Sequence, residues 1–110
     1  MILIDAIYID NGVGTKVLLD YLIANLERTD KHVYYLLDER LKNNVQPVKP
    51  TNVLKFQKSD FSKRINFYLR HKSDFTTVLC FANIPPVIRL QAKVYTYFHH
   101  PLYLERPPGL

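Results

Sequence analysis

Residues 1–16 read MILIDAIYIDNGVGTK. From Ile2 to Ile9 the stretch is β-branched, aromatic and apolar on both alternating sets, except at Asp5. A strand covered on both faces, as in a parallel sheet, has this composition. Asp10, Asn11 and Gly12 break it. A helical pattern begins at once behind Gly14: Thr15 is placed to cap it, and Leu19, Ile23 and Leu26 share one face with Leu18 and Leu22 beside them. The chain holds only three glycines, and two of them stand in this loop, at Gly12 and Gly14. In an α/β sheet the carboxyl end of a strand opens into a crevice, and the following helix offers unpaired N–H groups there.

Working outward, the helix ends between Glu27 and Asp30, and His32–Leu37 reads as a second strand, which closes one βαβ unit. Residues 38–52 are polar and punctuated by Pro47 and Pro50, a connection with room for one short helical turn. Val53–Phe56 reads as a short strand. Ser59 or Asp60 then caps a second helix running to Lys72. A period of 3.6 residues gathers Phe61, Ile65, Tyr68 and Leu69 on its inward face and leaves Lys63, Phe67 and Arg70 outside. Thr77–Ala82 is an apolar strand stopped by Asn83, Ile84 and two prolines, and Lys93–Phe98 is the last strand. The pattern β-α-β-β-α-β-β predicts an open, mostly parallel, Rossmann-like α/β sheet with flanking helices over residues 1–101. Residues 102–110 form an irregular tail.

A length of 110 residues fits one domain with one modest core. With 47% hydrophobic and 23% charged residues, disordered and fibrous classes are excluded. No apolar run approaches the roughly 20 residues that span a bilayer, and no signal-peptide pattern follows Met1. The single cysteine, Cys80, sits in an apolar run and reads as a buried thiol in a reducing compartment. His32, His71, His99 and His100 lack ligand-like spacing with Cys or carboxylates, so no metal site is expected. The net charge of +5 is concentrated: Lys55 to Lys72 holds six basic residues against Asp60, and the remainder is balanced. That asymmetry points to an anionic partner.

In a doubly wound sheet the first strand and the strand at Val78 are neighbours whose helices lie on opposite faces. Asn11, Gly12, Gly14 and Thr15 then line one side of the crevice between their carboxyl ends, and Asn83 to Pro86 line the other. His99 and His100 stand at the end of the next strand. NGVGTK lacks the spacing of a P-loop. It also lacks the third glycine of a dinucleotide fingerprint, whose acid at the end of the second strand Asp38 or Glu39 would supply. The plain alternative for the glycines is a tight strand-to-helix turn. For the histidines it is an ordinary surface position, whereas display towards the crevice suits proton transfer or hydrogen bonding to a hydroxyl-rich ligand.

The segments MILIDAIYIDNGVGTKVLLDYLI, VLCFANIPP and KVYTYFHHPLYL, in this order and spacing, resemble the amino-terminal part of a GT-B glycosyltransferase. The likeness is nearest to the retaining group 4 family of bacterial envelope sugar transfer and covers nearly the whole chain. It implies the acceptor-side half of an enzyme that moves a sugar from a nucleotide donor to a carbohydrate or glycolipid hydroxyl. Gly12 and Gly14 would approach donor phosphates or acceptor, and His99, with His100 as substitute, would contact the transferred sugar. No metal or cofactor is implied beyond the nucleotide-sugar substrate. In that family a second Rossmann-like domain binds most of the donor, so this chain is expected to be a piece that is inactive alone. A free-standing α/β nucleotide-binding or interaction domain is the other reading.

Lys63, Arg64, Phe67 and Arg70 form a basic helix face with an outward aromatic, a pattern of helices that rest on anionic membranes. Its bland counterpart is a solvated face. The expectation is a cytoplasmic protein with possible peripheral contact at the inner membrane face. Nucleic acid is not expected, because the strand aromatics face a sheet buried on both sides and no RNA- or DNA-binding motif is present.

Overall fold

The computed structural model describes residues 1–9, 15–81 and 92–96. The strands are β1 (Ile2–Ala6), β2 (Val33–Asp38), β3 (Val53–Gln57), β4 (Thr77–Cys80) and β5 (Lys93–Thr96). Helix α1 (Thr15–Glu27) joins β1 to β2, and α2 (Phe61–Arg70) joins β3 to β4. A single 3-10 turn, Glu39–Leu41, follows β2. Among the described residues these strands make one five-stranded sheet in the order β3-β2-β1-β4-β5. Every pairing in it is parallel. The protein is therefore an α/β domain with a Rossmann-like open sheet.

Pairing fixes which residues share a face. The row Lys55–Leu36–Asp5–Cys80–Thr96 runs across all five strands on one side. The other side carries Ile4, Ala6, Tyr35 and Leu37, which pack with Leu19 and Ile23 of α1 and with Leu41. Phe67 and Tyr68 of α2 pack with Leu3, Ile7, Leu36, Val78 and Cys80 on the first side. The two helices thus cover opposite faces, as the doubly wound pattern requires.

Helix α1 follows its expected face, with Leu19 and Ile23 fully buried, although Leu18 is exposed. Thr15, expected as its cap, is the first helical residue itself. The far end of α1 is tied down by Glu27. Its carboxylate accepts from the Tyr35 hydroxyl (2.6 Å), the Asn52 amide (2.6 Å) and the Lys49 backbone N–H (2.6 Å). The Asn52 carbonyl oxygen in turn accepts from the Val33 N–H at 2.9 Å. This knot anchors the polar connection 42–52 to the start of β2. Burial acts to raise the Glu27 pKa, but these hydrogen bonds and the Lys49 charge outweigh it and hold the carboxyl below its ordinary range.

Helix α2 departs from its expected orientation. Asp60 caps it, its side chain accepting from the Lys63 N–H at 3.1 Å. Its buried face is Arg64, Phe67 and Tyr68, while Phe61 and Leu69 are 54% and 51% exposed. The helix is rolled by about a quarter turn from the position its apolar residues alone would select. The cause is Asp5, which is 2% exposed in the middle of the sheet. A buried carboxylate without a counter-charge is costly, and α2 brings Arg64 onto it.

Candidate functional site

β1 and β4 end side by side, the position at which ligands of open α/β sheets bind. Asp5 pairs with Cys80, and the Phe81 N–H donates to the Asp5 carbonyl at 2.8 Å. Beyond Ala6 the chain turns, with the Ile9 N–H donating to the Ala6 carbonyl at 3.0 Å. β5 lies beside β4 in register, Cys80 opposite Thr96. The ends of β1, β4 and β5, from which the three expected site segments leave, therefore stand in a row on one edge. Asn11, Gly12, Gly14, Asn83, His99 and His100 lie outside the described residues.

Beneath that edge sits a buried polar cluster. The Arg64 Nε donates to Asp5 Oδ2 at 2.9 Å, and the Tyr68 hydroxyl donates to the same oxygen. Asp5 Oδ1 accepts from the backbone N–H of Ile7 at 3.3 Å. A second guanidinium nitrogen of Arg64 lies 3.7 Å from Cys80 Sγ. The guanidinium carbon also stands 5.5 Å from the ring centroids of both Tyr8 and Tyr68, within cation–π range of each. One carboxylate thus joins α2 to the turn that leaves β1.

Electrostatics in the cluster follow from burial and from Asp5. Desolvation works against the Arg64 charge, yet the Asp5 carboxylate outweighs it, so the guanidinium pKa is raised. Burial and then the Asp5 charge raise the Tyr68 hydroxyl far above its ordinary range. The same two causes push the Cys80 thiol up to about 12, against the opposing pull of Tyr68 and Arg64. Burial and the Asp5 charge thus disfavour the thiolate form of Cys80. Its free, buried state agrees with the core position expected for it.

The basic face expected on α2 is divided. Lys63 and Arg70 are exposed, but Arg64 is 3% and Phe67 1% exposed, so neither belongs to a membrane-facing surface. Phe67 is inward because the roll that carries Arg64 to Asp5 turns Phe67 onto β2. There its ring lies 5.4 Å from Tyr34 and 6.2 Å from Phe75, centroid to centroid. Among the described residues no helix is long and apolar enough to cross a membrane.

Asp38 does end β2, where a ribose-binding acid would stand, but its carboxylate is engaged. It accepts from the Arg40 backbone N–H at 2.9 Å and from the Arg40 guanidinium at 2.6 and 3.1 Å. Burial raises its pKa, but the bonds from Arg40, its charge and a bond from Ser59 outweigh that and leave the carboxyl below its usual value. Sequence reasoning missed the Asp5–Arg64–Tyr68 cluster. The signal was present: Asp5 is a lone acid in a strand apolar on both faces, which demands a buried donor or cation.

The fold is that of a doubly wound α/β domain in which the carboxyl ends of β1 and β4 stand side by side at the topological switch point. No family model, curated protein or solved structure matches the chain.

Proposed function

We propose that the chain is the acceptor-side half of a GT-B-type glycosyltransferase. It would hold a carbohydrate or glycolipid hydroxyl against the sugar of a nucleotide donor. The observation that carries this reading is the strand order β3-β2-β1-β4-β5, all parallel, with β1 and β4 adjacent. That order puts a crevice at the carboxyl ends of β1 and β4, where ligands of open α/β sheets bind. It is also the arrangement that the amino-terminal sequence resemblance implies. In this reading the segment with Gly12 and Gly14 approaches the donor phosphates or the acceptor, and His99, with His100 beside it in sequence, contacts the transferred sugar. Tyr8 and the braced turn after β1 form the rim on the β1 side. Because the donor of a GT-B reaction lies between two domains, this half binds its ligand weakly by itself and turns nothing over without the other half. A cytoplasmic site of action, where a nucleotide-sugar donor is at hand, fits the same reading.

Amide chemical-shift mapping of the isotope-labelled chain, titrated with nucleotide sugars and with oligosaccharides, tests the location. Shifts are expected first at Tyr8, Ile9 and Phe81. A chain that shows no shift at that edge with any of these ligands at millimolar concentration would refute the reading.

A further inference from the structure

A second place on the molecule is built for an anion. At the carboxyl end of β3, against the outward flank of α2, lies a cleft of about 350 Å³. β3 and the residue after it contribute Lys55, Gln57 and Lys58, and α2 contributes Lys63, Asn66 and Arg70. The three α2 residues follow the spacing i, i+3, i+7, one stripe of a helix. Lys55 and Gln57 alternate with Phe56, so both belong to the α2 side of β3, in register with Leu36 and Asp38. The cleft exists because α2 is drawn towards β1. Arg64 and Tyr68 reach Asp5 and Phe67 packs on Tyr34 of β2, so among the described residues α2 flanks this side of β3 rather than covering it.

The lining is strongly one-signed. Lys55, Lys58, Lys63 and Arg70 face a single acid there, Glu39. Among the described residues none of these four cations takes part in an ion pair. The side-chain nitrogen of Gln57 is buried and has no hydrogen-bond partner. A buried donor left unpaired beside converging positive charges is unfavourable unless an acceptor-rich anion fills the space. The volume falls at the lower end of small-molecule sites, which run from roughly 300 to 1,000 Å³.

We propose that this cleft binds the phosphate or diphosphate group of a small ligand. A phosphate brings several acceptor oxygens and up to two negative charges, which matches four cations and the amides of Gln57 and Asn66 better than a singly charged carboxylate does. The site is separate from the β1–β4 crevice: β3 lies two strands from β1, roughly 10 Å away. It stands or falls independently of the glycosyltransferase reading.

Calorimetric titration of the full 110-residue chain with inorganic pyrophosphate at low salt tests the site, beside a variant carrying Lys63→Gln and Arg70→Gln. Both side chains are exposed, so the variant is expected to melt like the parent. Saturable binding is expected, weakened about tenfold or more in the variant and screened by added salt. Vesicles of phosphatidic acid, added as competitor, separate the two sources of the group. Displacement of pyrophosphate by vesicles assigns the site to a lipid headgroup, and no displacement assigns it to a soluble phosphorylated ligand. Absence of pyrophosphate binding, or binding equal in parent and variant, overturns the proposal, even if vesicles bind.

Discussion

Replacing Arg64 by methionine is expected to lower the unfolding free energy by about 3–5 kcal/mol, the usual cost of stripping a buried charge of its partner. Among the described residues Asp5, 2% exposed, would keep the Tyr68 hydroxyl and the Ile7 N–H as donors. For a domain stable by about 5–15 kcal/mol this is a large share of the total. The double variant Asp5→Asn with Arg64→Met removes both charges, while the Asn oxygen can still accept from the Ile7 N–H and the Asn amide N–H can donate to the Tyr68 hydroxyl. It is expected to recover most of the loss, which urea unfolding of the three variants measures as a coupling energy. Additive losses, each within about 0.5 kcal/mol of a surface change, would mean that the pair does not hold α2 in place.

Phe67→Ala is the second large effect. The ring is 1% exposed and packed among Tyr34, Tyr68, His71 and Phe75, with its centroid 4.4 Å from that of His71. Truncating a core phenylalanine costs about 3–5 kcal/mol through lost burial and the cavity left behind. An outward Phe67 would give almost no change in the melting transition and a loss of affinity for anionic vesicles. The melting midpoint and a vesicle sedimentation assay on the same variant therefore separate the two orientations.

These two residues also mark where the sequence could be read and where it could not. The strands were legible because each is a short apolar run bounded by polar residues or proline. The adjacency of β1 and β4 followed from the alternation of strands and helices. Helix α1 was legible because Leu19 and Ile23 belong to a regular apolar stripe. In α2 the apolar stripe and the buried stripe are different. Counting hydrophobic residues placed Phe61 and Leu69 inside, whereas the sheet beneath offers a carboxylate, and Arg64 with its neighbours Phe67 and Tyr68 meets it. Periodicity treats arginine as an outside residue and does not register a demand made from 59 positions away. The Glu27 knot was hidden for the same reason, since Lys49 and Asn52 reach it from 22 and 25 positions along the chain. At the crevice, the strand ends were foreseeable from the sheet order. The brace beneath them was half legible: Asp5 announces a buried partner, but which residues supply it shows only once α2 is rolled onto Asp5.

The most direct measurement of the functional claim is turnover by the native gene product, purified from its own cell and assayed with that cell's membranes and a panel of nucleotide sugars. Release of nucleoside diphosphate from one of the donors is expected, falling about tenfold or more when His99 is changed to alanine, as loss of a sugar contact implies. A native product that consumes no nucleotide sugar, with or without the membranes, would contradict it and leave the β1–β4 crevice a binding site without transfer chemistry.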